Sequence, residues 1–175
     1  MTRNTISRSL HDLGLSAWFG GTLANAVALN PAAAKASGAS DVGAVANTGW
    51  DRWTPVNAAA IGAHLIGSLG QIGGNKARIK DQQGVASMAL AKTGLTAAAL
   101  GVTAWSGALG AKLAQHGPEP VEGGTVPASE TPKDVADAQR QLHVTQWLIP
   151  GLTAAIAEAR RGAPHRARGG LACRT

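Results

Sequence analysis

Trp50-Asp-Arg-Trp-Thr-Pro-Val-Asn-Ala-Ala-Ala-Ile-Gly-Ala-His-Leu-Ile-Gly-Ser-Leu-Gly-Gln-Ile-Gly-Gly74 is the stretch whose reading decides the fold. Two tryptophans bracket a charged pair. Thr54 then offers a helix cap, and Pro55 suits a first helical position, where its missing N–H costs nothing. From Val56 to Gly74 there is no charged residue. At about 1.5 Å per residue, that run is long enough to cross a hydrocarbon core of about 30 Å. The stretch therefore predicts a membrane-spanning helix, with Trp50, Arg52 and Trp53 as anchors at the lipid–water interface.

Within it, Asn57, His64 and Gln71 recur every seven residues. Seven residues is nearly two turns, so the three side chains share one stripe. This span of 55–74 puts His64 near mid-membrane. A histidine at that depth is a candidate functional residue, as a step in a path for a proton, ion or small ligand. The competing reading is that the three hydrogen-bond to neighbouring helices and hold a bundle together. Asn25, in the preceding apolar run, joins the same polar set.

Outward from this stretch, three further apolar runs predict spans at about 13–34, 86–113 and 138–158. The first contains Gly14, Gly20, Gly21 and Ala24, small surfaces for close helix packing. A cleavable signal peptide ending at Ala34-Lys-Ala36 is its rival reading. The core of the third, 94–111, is preceded by Lys92, placed to reach the headgroups. The fourth is short, with Pro150-Gly151 predicting a kink. Residues 35–53 read as a connector with a short surface helix. Residues 115–137, rich in proline, glycine and acids, read as an extended linker. The five tryptophans read as an interfacial belt. Residues 1–159 thus form one all-α, four-helix transmembrane bundle, and 160–175 an arginine-rich tail without structure of its own.

Charge supports that division. Sixteen Lys and Arg against ten Asp and Glu give a net charge of +6. The excess sits in the connectors rather than on one helical face, which argues against a nucleic-acid surface. The segments outside the runs alternate: basic with Arg3 and Arg8, neutral, basic with Lys76, Arg78 and Lys80, acidic, and basic with five arginines. Under the positive-inside rule, four spans with both termini cytoplasmic satisfy this alternation. The expected location is a bacterial plasma membrane and the expected partner the lipid bilayer. A mean hydropathy of 0.00 reflects spans built from Ala and Gly, and leaves a soluble Ala-rich bundle as a further alternative.

Chemistry is sparsely signalled. Cys173 is the single cysteine, and no metal-spaced Cys/His cluster, phosphate loop or nucleophile elbow occurs. The spans put His11, His64, His116 and His143 at different depths, so no pair suits a b-type haem; no cofactor and no metal are expected. His11-Asp12 reads as a helix start. Three motifs, His11-Asp-x-Gly-Leu with Trp18-Phe-Gly-Gly-Thr, Trp50-x-Arg-Trp-Thr-Pro-Val-Asn57, and Thr145-Gln-Trp-Leu-Ile-Pro-Gly-Leu-Thr153, resemble small four-span integral membrane proteins of high-GC actinobacteria. The resemblance covers roughly 10–155 and implies the architecture, not an activity. The leading functional expectation is a non-enzymatic bundle that assembles with a second copy or a larger membrane complex. The alternative is a small transporter or quinone-linked protein using Asn57, His64 and Gln71.

Overall fold

Glycine decides how the first half of the chain packs. In the computed structural model, which describes residues 2–74, 83–117 and 119–159, helix α1 (Thr2–Ala24) continues through one wider π-type turn (Asn25–Leu29) into α2 (Asn30–Ala33). Helix α3 (Ala39–Gly74) returns antiparallel to it. Gly14 lies against the Ala60 carbonyl and the His64 backbone, and Gly67 against the backbone of Ser7 and His11. Trp53 fills the notch at Gly21, and Leu29 lies over Gly49. With no Cβ at these positions, the two backbones approach as closely as helices do where small residues face each other.

The second half repeats the hairpin with larger side chains. Helix α4 (Gln83–His116) leads through two short antiparallel strands, β1 (Val121–Gly123) and β2 (Val126–Pro127), to helix α5 (Lys133–Glu158). Leu109, Leu113, Val135 and Ala138 pack between α4 and α5. The hairpins join where α1 meets α5. There Leu15, Trp18, Ala60, Ala99, Ile149 and Ile156 form a core drawn from all four long helices. The described chain is therefore all-α apart from the small strand pair.

Several boundaries differ from the sequence reading. Helix α1 starts at Thr2, so His11-Asp12 is helix interior rather than a helix start. Thr54 caps nothing; its hydroxyl donates to the Trp50 carbonyl at 2.9 Å, within a helix that began at Ala39. Pro55 deprives the Asp51 carbonyl of its usual donor, yet α3 runs on because α1 clasps it on both sides, at Gly49 and at Ala60. The expected linker 115–137 is helix at both ends and not simply extended between them: Val121, Thr125 and Thr131 are buried, and Thr131 is tied to Pro120 and Ala128. Helix α5 is 26 residues long, begins well ahead of the short apolar run and passes through Pro150. Trp18 is fully buried in the core, not at an interface. The tail 160–175 and the basic connector 75–82 lie outside the described residues.

Among the described residues, one helix is long and apolar enough to cross a membrane by length and composition, Ser87–His116, and little of its apolar window is covered by the rest of the chain. The other long helices carry histidines and amides within their apolar runs.

The close α1–α3 seam has a direct consequence. Gly14→Ala puts a methyl group against the Ala60 carbonyl and is expected to destabilise the fold by about 1–3 kcal/mol. At Gly20 an added Cβ meets nothing, and Gly20→Ala is expected to gain about 0.5–1 kcal/mol from helix propensity. Unfolding of the two purified variants beside the parent checks both; equal stability of Gly14→Ala contradicts the seam.

Candidate functional site: a polar ladder inside the bundle

Polar side chains turn inward at two levels of the molecule. The first level is a hydrogen-bonded cluster at the strand end of the bundle. Asn30 Nδ2 donates to Gln146 Oε1 at 2.9 Å, and Trp50 Nε1 donates to Asn30 Oδ1 at 3.2 Å. Gln146 Nε2 reaches Thr125 Oγ1 at 3.4 Å, and Thr125 Oγ1 lies 3.3 Å from His143 Nδ1. Gln139 donates to the Gly123 carbonyl at 3.2 Å and fastens the strand pair to α5. The wider turn at 25–29 helps set this up. The Asn30 N–H bonds the Asn25 carbonyl, five residues back, and Pro31 follows without a donor of its own.

The second level is a histidine pair. His11 and His64 have ring centroids 4.4 Å apart, tilted by 47°. His11 Nδ1 sits 2.9 Å from Asp12 Oδ1. His64 Nδ1 faces the His11 carbonyl oxygen at 3.3 Å, which favours the tautomer with the proton on Nδ1 and the lone pair on Nε2. His64 is fully buried, and Trp18 presents its ring edgewise at 6.1 Å. The expectation that the histidines lie at separate depths is thus wrong for this pair. Helix α1 extends eleven residues beyond the assumed start of its span, which brings His11 level with His64. At 4.4 Å the rings are too close for a metal centre to sit linearly between them, where two ~2.0 Å bonds plus the ring radii are needed.

Between the levels runs a ladder of buried polar atoms along the α1–α3 seam. Trp18 Nε1, Asn25 Nδ2, Trp53 Nε1, Asn57 Oδ1 and His64 Nε2 are buried and find no hydrogen-bond partner among the described residues. The seam register fixes their order. Gly14 opposes Ala60 and His64, and Gly21 opposes Trp53. Trp18 therefore falls across from the interval between Asn57 and His64. Asn25 lies a turn beyond Gly21, toward Asn30 and Trp50. Hydroxyls behave differently: Thr22, Thr54, Ser68, Thr93 and Thr153 each donate to the carbonyl four residues back in their own helix.

Of the residues expected to form the site, Asn25, Asn57 and His64 lie on this ladder, and Gln71 is half-buried two turns below His64 on α3. Trp50 and Trp53 face α1, Arg52 is exposed, and Lys92 is half-buried, its charge reaching His64. Missed from the sequence were Trp18, Asn30, Gln146 and the partner role of His11. A groove of about 470 Å³ opens beside the histidines, between α1 and α5, with Asp12 and Glu158 at its polar end and Leu15 and Phe19 along its wall. Among the described residues, no group of three or more His, Cys, Asp or Glu is placed to hold a metal ion.

Charged pairs gather at the strand end. Asp134 lies 2.9 Å from His116 and 3.5 Å from Lys112. Lys133 Nζ is 3.0 Å and an Arg140 guanidinium nitrogen 2.7 Å from Asp137. The hydrogen bond and charge of Lys133, reinforced by Arg140, hold the Asp137 carboxyl below its ordinary value of 3.8. A carboxyl lowered on folding stabilises the fold above its unfolded value, and that contribution is lost as pH falls through the lowered value. A carboxyl NMR titration is expected to place the Asp137 midpoint below 3.8, and Lys133→Met is expected to move it upward. A midpoint unmoved by Lys133→Met contradicts the pairing.

No protein-family model, no curated protein and no solved structure is significantly similar to the chain.

Proposed function

We propose that the chain is a small integral membrane protein that crosses the bilayer four times, with both ends on the cytoplasmic side, and that its interior serves passage of a small polar species. The observation that carries this reading is the inversion of polarity. Leu13, Leu69 and Leu90 are each at least 70% exposed, and Ile66, Trp105 and Val144 are more than half exposed. His64 and Thr153 are fully buried, with Asn30, Gln139, Thr145 and Gln146 close to it. A water-soluble bundle of this size puts such residues the other way round. In a bilayer, outward leucines meet lipid at no cost, and inward amides find partners.

The tryptophans support the same placement. Trp105 and Trp147 are half exposed. Each is next in sequence to a residue of one cross-helix level: Ser106 bonds Thr145, Gln146 bonds Asn30, and Asn30 bonds Trp50. That level is where an interfacial belt belongs. Along α1, eighteen residues separate Asn30 from Asp12, about 27 Å at the helical rise, close to a hydrocarbon core. No Asp, Glu, Lys or Arg intervenes on α1.

A purely structural role is the second reading. Its support is the outward face of α4, where Gly94, Ala97, Gly101, Ala104, Ala108 and Ala111 are exposed at heptad spacing and suited to tight packing on another helix. One experiment addresses both. Membranes from cells expressing the chain with a C-terminal reporter are washed with carbonate, then solubilised and run on a native gel. Retention in the washed membrane with a cytoplasmic reporter is expected; release into the soluble fraction contradicts the membrane reading. A single-copy size on the gel removes the support for assembly, and a discrete larger species restores it.

A further inference from the structure

We propose that the α1–α3 seam holds a file of water molecules and conducts protons between the Asn30 level and the groove at Asp12. The proposal rests on the membrane reading above and names the species that passes.

Buried donors and acceptors without partners are rare in folded chains, because each forfeits its solvation without a replacement hydrogen bond. Where they occur together, ordered water is the usual partner. Here five of them occur in a row. Asn25 Nδ2, Trp53 Nε1, Asn57 Oδ1, Trp18 Nε1 and His64 Nε2 follow one another down the seam, and donors and acceptors are both represented. Trp53 and Asn57 are four residues apart, about 6 Å of rise. A water making two hydrogen bonds of about 2.8 Å spans about the same distance. From Asn57 to His64 is about 10.5 Å of rise, and Trp18 stands across from that interval. By rise, these two intervals are each one or two waters long. The upper end meets the hydrogen-bonded cluster of Asn30, Trp50, Gln146 and Thr125.

The lower end is titratable. His64 offers its buried Nε2 lone pair to the file, while Nδ1 is held by the His11 carbonyl. The imidazole of His11 is in ring contact with it and is joined through Nδ1 to the Asp12 carboxylate, which lines the groove beside Glu158. A proton arriving along the file is taken by His64 Nε2. His64 passes that same Nε2 proton to the His11 imidazole with which it is in ring contact, His11 gives its Nδ1 proton to the Asp12 carboxylate, and Asp12 releases it into the groove. Each group that gains a proton loses one in the next transfer, and no electron moves. His11 and Asp12 on α1 and Lys92 on α4 are the charged or titratable groups whose fields reach His64. Gly14 and Gly67 bring the backbones together immediately beside the histidine pair, which bars a bulky solute there. Dehydrated metal cations find no charged ligand on the ladder above it, so the path favours protons.

The test uses the full chain purified in detergent and reconstituted into lipid vesicles containing a pH-sensitive dye. A potassium gradient with valinomycin sets an inside-negative potential. Acidification faster than in protein-free vesicles is expected, slower in D₂O and indifferent to sodium. His64→Leu and, independently, Asn57→Leu are expected to return the rate to the protein-free level; Gly20→Ala, which touches nothing on the path, is expected to leave it unchanged. Circular dichroism and melting of each variant identify a misfolded His64→Leu, in which case Asn57→Leu decides. Failure of the wild-type chain to enter vesicles overturns the membrane reading and the path with it. Entry with a protein-free rate, or with flux that both leucine variants retain, overturns the path alone. Flux of sodium in place of protons overturns the assignment of the species.

Discussion

Close approach of the α1 and α3 backbones at Gly14 and Gly67 is the constraint on which the rest of the molecule depends. Because neither glycine presents a Cβ, the His64 backbone sits on α1 and the His11 backbone on α3. The two imidazoles are thereby pressed together inside the chain instead of pointing outward from separate helices. Trp18 can then be fully buried against His64, and it becomes the largest side chain of the shared core. Dispersion between the closely approaching backbones at the glycine contacts, rather than burial of large aliphatic groups, holds the first hairpin. The second hairpin relies instead on Leu109, Leu113 and Val135, and it meets the first along α5.

Polarity then divides the molecule into levels. At one end the strand pair closes over the bundle, held by Gln139 and Thr125, and brings α4 and α5 ion pairs to the same end. At the other end lie the histidine pair and the Asp12 groove. Between them Thr22 turns its hydroxyl back onto its own helix, the economical arrangement where no water competes for a carbonyl. The amides and indoles cannot reach their own backbone in that way. They are left facing the seam, and that difference between hydroxyl and amide reach is the physical origin of the ladder.

Much of the architecture was legible in the residues. Four largely apolar runs mark the four long helices, and the glycines at 14 and 21 mark the packing face of the first. The period of seven in Asn57, His64 and Gln71 picks out the inward stripe of α3. What the residues did not disclose is instructive. A Thr-Pro pair reads as a helix start, yet at Thr54-Pro55 tertiary clasping by α1 carries the helix through. The Pro/Gly-rich stretch 115–137 reads as linker, but Val121 and Thr131 anchor it. The histidine pair was hidden because depth was assigned from hydropathic spans, whereas the seam register, set by Gly14 and Gly67, slides α1 by about three turns relative to that assignment. Asn30 and Gln146 are 116 residues apart, and no local pattern joins them.

The central claim is that the apolar outer surface faces lipid while the polar ladder lies within. Site-directed spin labelling along α4, in a Cys173→Ser background reconstituted in bilayers, measures this directly through collision with oxygen and with a water-soluble nickel complex. Labels at Leu90, Gly101 and Trp105 are expected to meet oxygen freely and to be shielded from nickel, with the contrast greatest near the middle of the helix. Free access of the nickel complex along the whole outer face of α4 would contradict the account.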